Sequence, residues 1–155
     1  IPLERLASLP YSDDPRVNPQ LRGQATGNVA SAQLRLGQIA EAEMTVRRAL
    51  LALRHAPAYW LHSLPTLILS LLRQSRALEA SQVAEEGLAI LASHGGGGVA
   101  EIAVRIAAAE ALHAIPKLED AKEQLRLAQE ALQRVAGHAF VVGRPGVFGH
   151  SASGL

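Results

Sequence analysis

Leu36-Gly37-Gln38-Ile39-Ala40-Glu41-Ala42-Glu43 has two counterparts further along the chain, Gln74-Ser75-Arg76-Ala77-Leu78-Glu79-Ala80-Ser81 and Ile115-Pro116-Lys117-Leu118-Glu119-Asp120-Ala121-Lys122. Each passes through a turn-forming residue and then sets an acidic side chain directly before an alanine: Ala42, Ala80 and Ala121. The alanines stand 38 and 41 positions apart. Around them apolar residues recur at three- and four-residue intervals, the spacing of a helix buried along one side. A small side chain at this place lets the second helix of a hairpin approach the first closely, because contact side chains set the distance between helix axes. The unit is therefore two helices joined by a turn, and three units give six helices.

The rest of the chain is punctuated accordingly. Asn18 followed by Pro19 is a start signal: asparagine accepts from the orphan amides of a first turn, and proline is preset for the first helical position. A first helix is expected over about 19–36, anchored by Leu21, Val29, Leu34 and Leu36 and weakened by Gly23, Thr26 and Gly27, so packing must hold it. The second should run to Arg54, ahead of His55, Ala56 and Pro57, and the third from Ala58 to about Gln74, with Pro65 either kinking it or marking a later start. The fourth, Ala77 to Ser93, has Leu78, Val83, Ala84, Leu88 and Leu91 at inward spacing and stops before the glycines at 95–98. The fifth spans Val99 to Ile115, with Ile102, Ile106, Ala109 and Leu112 on one side. The sixth spans Leu118 to Ala136, with Ala121, Leu125, Ala128 and Leu132 inward. Residues 1–17, with Pro2, Pro10 and Pro15, form an extended lead-in. Residues 137–155, rich in glycine and serine, form a flexible tail. The helical domain is 18–136.

Composition agrees with an all-α fold and excludes several functions. Among 155 residues there are 28 alanines and 24 leucines but only 3% aromatics, which suits helices joined through small and aliphatic side chains. Lysine and arginine total 15 against 14 acidic residues, and that balance gives no field to draw the chain to nucleic acid or an anionic membrane. The longest apolar run, Leu64 to Leu72, contains Pro65, Thr66 and Ser70 and is far short of the ~18 residues of a membrane span. Without cysteine there is no disulfide, thiol nucleophile or thiolate metal site. The start, at Ile1, has no basic-then-apolar leader. The expectation is a cytoplasmic segment, a piece of a longer protein.

Aligned on the three alanines, the first helices of the hairpins show Val29, Ala30 and Gln33, then Leu67, Ile68 and Leu71, then Ala108, Ala109 and Leu112. Four residues beyond each alanine stand Val46, Ala84 and Leu125. This resembles the tetratricopeptide repeat, whose hairpins carry a large, a small and an aromatic position followed by Ala-x3-Phe over ~34 residues. Here the aromatics are replaced and the period is longer by four and seven residues, about one and two helical turns. The resemblance covers about residues 20–136. It is closest to the divergent arrays attached to bacterial signalling proteins, such as regulators with LuxR-type DNA-binding domains and multidomain serine/threonine kinases, above all over Ala109 to Ala114 and Glu119 to Ala121. It implies a right-handed superhelical array of about three hairpins acting as a protein–protein interaction scaffold or regulatory arm. The partner it implies is another protein or peptide, held without a cofactor.

Nothing in the sequence composes a catalytic or metal site. The histidines at 55, 62, 94, 113, 138 and 150 lack the paired spacing of a zinc site, and His55 and His94 fall at helix ends where an imidazole complements the dipole. The glycines at 95–98 follow a helix and lack the lysine and hydroxyl of a phosphate loop, so they read as a linker. Gly149-His150-Ser151-Ala152-Ser153 departs by one residue from a nucleophile elbow and has no acid or histidine partners downstream. The charges from Lys117 to Arg126 read as a solvated helix face.

The resemblance implies a concave surface made by the first helix of each hairpin, and the alanine register places Ser31, Arg35, His62, Thr66, Arg73, Glu110 and His113 towards it. Arg35 and Arg73 are then candidates to hold a carboxylate or a phosphorylated side chain. Two other readings stand beside this one. A ligand-sensing domain controlling an attached output domain would enclose a pocket lined by Tyr59, Trp60 and His62. Self-association would use the uncapped apolar faces of the terminal hairpins.

Overall fold

The Asn18 side chain accepts a hydrogen bond from the Gln20 amide at 2.8 Å, and Pro19 takes the first helical position, as the start signal requires. The computed structural model describes residues 18–94, 96 and 98–143, with side chains as far as Gly137. Six helices occupy these residues: α1 (Pro19–Arg35), α2 (Ile39–Ala52), α3 (Pro57–Arg73), α4 (Ala77–His94), α5 (Val99–Ala114) and α6 (Leu118–Gly143). Among the described residues there is no strand, and the fold is all-α. The lead-in 1–17 and the elbow-like segment 149–153 lie outside the described residues.

The three quoted segments form one recurring turn. The Gln38 amide donates to the Gln33 carbonyl at 2.9 Å, Arg76 to Leu71 at 3.0 Å and Lys117 to Leu112 at 2.8 Å, so each hairpin closes with the same six-residue bond. In the first two the residue before the donor takes a left-handed conformation, with φ of 84° at Gly37 and 60° at Ser75. The amides of Ala42, Ala80 and Ala121 then donate to Gln38, Arg76 and Lys117, making each alanine the first residue tied back into its new helix. These alanines are 0%, 0% and 3% exposed.

Burial of this kind fixes the helix neighbours. α1 packs on α2 and α3, α2 on α3, α3 on α4 and α5, α4 on α5, and α5 on α6. Thus α3 is central, and its Leu64, Leu67, Ile68 and Leu71 meet Ala30 of α1, Val46 of α2, Ala80 and Ala84 of α4 and Ala107 of α5 in a single cluster. Small residues on the surrounding helices receive the large ones of α3. Glycine carries this furthest. A methyl group at Gly23 would stand 2.6 Å from Leu53 Cδ2, and one at Gly27 would stand 2.5 Å from Ser63 Oγ, so the residues that weaken α1 locally are those that let α2 and α3 close on it.

Several expectations are corrected. Of the two alternatives at Pro65 the later start is excluded: α3 begins at Pro57 and continues through Pro65, where seven buried residues along it outweigh the single backbone bond that the proline removes. α6 continues past Ala136 to Gly143, so the start of the sequence-derived tail is helical. Leu21, Leu36 and Leu78 lie outside, at 63%, 75% and 65% exposure, since leucine at inward spacing is buried only where another helix covers it. Leu125 and Leu132 are half-exposed for the same reason.

Ser75 pays the left-handed strain that Gly37 avoids. Ser75→Gly should raise stability by about 0.5–1 kcal/mol, whereas Gly37→Ala, where no heavy atom lies within 4 Å of the new methyl, should cost about 1 kcal/mol through the backbone alone; urea unfolding checks both. Ala80→Leu, which forces three extra carbons between α3 and α4, should destabilise by about 1–3 kcal/mol or more in the same assay.

Candidate functional site

α1, α3 and α5 share one side of the molecule, and there they enclose a groove of about 340 Å³. Helical spacing brings its residues together: Asn28, Ser31 and Arg35 succeed one another along α1, as do His62, Thr66, Leu69 and Arg73 along α3. The first turn of α5 closes the far side with Val99, Ala100 and Ala103. Among the described residues that line the groove none is acidic.

Five of the seven residues expected on the concave surface therefore meet: Ser31, Arg35, His62, Thr66 and Arg73. Glu110 and His113 do not join them. They line a separate, more apolar groove of about 550 Å³ formed by α5 and α6 with Leu72 of α3, because the concave groove meets α5 only at its first turn, Val99, Ala100 and Ala103. The alanine register missed Asn28 and the buried Ser63, although both sit at helical spacing from residues it identified. The contribution of Val99 to Ala103 carried no sequence signal.

The two arginines differ in freedom. Arg73 Nη1 donates to the Leu34 carbonyl at 3.3 Å and so ties the end of α3 to the end of α1. Arg35 makes no hydrogen bond or ion pair among the described residues and is exposed. Both stand in the last turn of their helices, where a cation also complements the dipole. Of the residues named for the ligand-sensing reading, Trp60 and His62 line different grooves: Trp60 one of about 340 Å³ with Arg47, Leu51, Arg54 and Glu86, and His62 the groove between α1, α3 and α5, while Tyr59 is 42% exposed.

Carboxylates elsewhere are occupied by structural pairs. Glu43 of α2 accepts from Arg76 at 2.7 Å and from Gln74 at 2.9 Å, and Arg47 bridges Glu43 and Glu79, joining the first hairpin to the second. Burial would raise the Glu43 carboxyl, but the bonds from Gln74, Arg47 and Arg76 outweigh it and hold the group below its ordinary 4.5. Glu101, 5% exposed at the start of α5, accepts from Arg105 at 2.8 Å and from Arg134 of α6 at 3.0 Å. Burial again opposes ionisation there, and the Arg105 bond with the charges of Arg105 and Arg134 overcomes it, lowering its pKa. Arg126 pairs with both Glu123 and Glu130 along exposed α6, as expected of a solvated face. Among the described residues no three histidine, aspartate or glutamate side chains are grouped to hold a metal, and no helix is long and apolar enough to cross a membrane. No protein-family model matches the chain, and no curated protein or solved structure matches it.

Because the pKa of Glu101 is lowered on folding, its contribution is present above the ordinary carboxylate value of 4.5 and is lost as pH falls through the lower folded value. Glu101→Gln should therefore cost about 1–3 kcal/mol at neutral pH, and the gap from wild type should shrink below about pH 4.5 in thermal melts followed by circular dichroism.

Proposed function

We propose that this chain is a protein-binding scaffold or regulatory arm, a right-handed superhelical array of three tetratricopeptide-like hairpins whose concave groove takes an extended acidic or phosphorylated peptide. One observation carries the reading: Arg35, His62 and Arg73 converge with the hydroxyls of Ser31 and Thr66 in a groove without a lining carboxylate. A guanidinium offers a fixed fork of donors matched to carboxylate and phosphate oxygens, and neighbouring hydroxyls complete such a shell. Leu34, Leu69 and Ala103 supply apolar floor for the peptide's intervening side chains.

The order of helix contacts supports the array. Each hairpin's second helix packs on its own first helix and, where another hairpin follows, on the next first helix, while the first helices α1, α3 and α5 pack in file. Stacking in that order buries a continuous core and leaves one side open along its length. The role is binding without a chemical step, within or beside a bacterial signalling protein whose output domain the array would position.

Fluorescence anisotropy with labelled ten-residue peptides tests this. Acidic and phosphorylated peptides should bind and basic ones should not, with affinity falling as salt rises. Arg35→Glu should weaken binding roughly tenfold to a hundredfold, the ~1.5–3 kcal/mol of a charge-assisted hydrogen bond. Arg35 rather than Arg73 is the residue to change, because Arg73 also holds the end of α1. Equal binding of acidic and basic peptides, or an Arg35→Glu protein that binds as wild type does, would remove the groove from consideration.

A further inference from the structure

The hairpins are equivalent in sequence register but not in burial. Four residues after the marker alanine stand Val46, Ala84 and Leu125, with exposures of 0%, 1% and 48%. Eleven residues after it stand Leu53, Leu91 and Leu132, at 0%, 2% and 54%. In the first two hairpins the following first helix, α3 or α5, packs on the second helix that carries these positions. In the third no further helix follows among the described residues, yet the side chains remain those of a core. Leu118, 49% exposed, extends the stripe, giving leucines seven residues apart along α6. With Ile106 and Ala109 of α5, Leu118 and Leu125 border the groove of about 550 Å³ already described, and Leu132 continues the stripe beyond it.

We infer that this α5–α6 face is the interface of a two-fold symmetric homodimer. The choice of a second copy rests on the charges of the two banks. Glu110 on α5 and Lys122 on α6 line the same groove from opposite sides, each six residues from Pro116 at the turn, and so stand at about the same height. A two-fold axis along the groove lays α5 of each copy over α6 of the other. Glu110 of each then faces Lys122 of its partner, and Ile106, ten residues from Pro116, lies near the partner's Leu125, nine residues from it. Glu110 has no bonding partner among the described residues, and the only ion pair of Lys122 is an exposed one to Glu119 at 3.6 Å, so both charges are available.

Head-to-tail stacking fits less well. It would set α1 of one copy on the leucine stripe of the next, and α1 places Gln33 where α3 and α5 have the buried leucines Leu71 and Leu112. Its Gln24 is also incompletely buried. The apolar end of the molecule is thus complementary to itself rather than to the other end, and the assembly closes at two copies. The concave groove lies apart from this face, so a dimer would carry two peptide sites.

Light scattering and sedimentation of the full chain across the micromolar range provide the test. Wild type should weigh twice the 16.4 kDa of one chain. Leu125→Glu should give a monomer with unchanged helicity, since Leu125 is half-exposed and its replacement leaves the fold intact. Glu110→Lys and Lys122→Glu should each be monomeric alone, and their mixture should recover the dimer, because each copy then supplies the charge the other lacks. A monomeric wild type overturns the inference and leaves the face to a further helix of a longer chain or to another protein. A Leu125→Glu dimer as stable as wild type overturns it as well, and charge variants that stay monomeric when mixed overturn the pairing of Glu110 with Lys122.

Discussion

Close approach at Ala42, Ala80 and Ala121 is the constraint on which the rest of the molecule depends. Each alanine begins the second helix of a hairpin by donating back into the turn, and each is sealed from solvent. With no side chain beyond Cβ, they allow helix axes near enough for leucines of the central helix to reach across two neighbours. Gly23, Gly27 and Ser63 perform the same service between α1 and the helices beside it. A chain so poor in aromatics must fill its interior by bringing backbones together, since it has few large side chains with which to bridge wider gaps.

That choice shapes the polar surface too. Where small residues draw helices together, long charged side chains are pushed to the seams, and there they pair. Glu43 with Arg76 and Arg47 fastens the first hairpin to the second, and Glu101 with Arg105 and Arg134 fastens α5 to α6. Both carboxyls stay ionised despite partial burial because guanidinium donors replace the lost water. These pairs consume acidic groups on the seams, and the groove between α1, α3 and α5 is left with cations and hydroxyls.

The third hairpin follows the register of the others without their surroundings. Its Asp120-Ala121 pair, its turn bond from Lys117 to Leu112 and its leucine spacing all repeat the earlier pattern. Only the covering helix is missing among the described residues, and the result is a row of half-exposed leucines where the earlier hairpins have core. A helix of this kind is stable because α5 buries Ala121, Ala128 and Ala131 along its other side.

The six helices, their turns and the all-α class were legible in the sequence, because each rests on local chemistry: the Asn18 cap, the breaker at each turn, and apolar spacing that any helix must show. So was most of the groove, since Ser31 with Arg35 and His62 with Thr66 and Arg73 are neighbours within single helices. What the sequence could not decide is which of two apolar faces a neighbouring helix covers. Leu91 and Leu132 occupy the same register position, and one is sealed while the other is half open, purely through the presence of α5 beside α4. Likewise Glu110 and His113 left the concave groove because that groove meets α5 only at Val99, Ala100 and Ala103, a crossing that only the packed helices express. Local propensity determined the elements, and tertiary packing decided their exposure, because burial belongs to pairs of surfaces and not to either one alone.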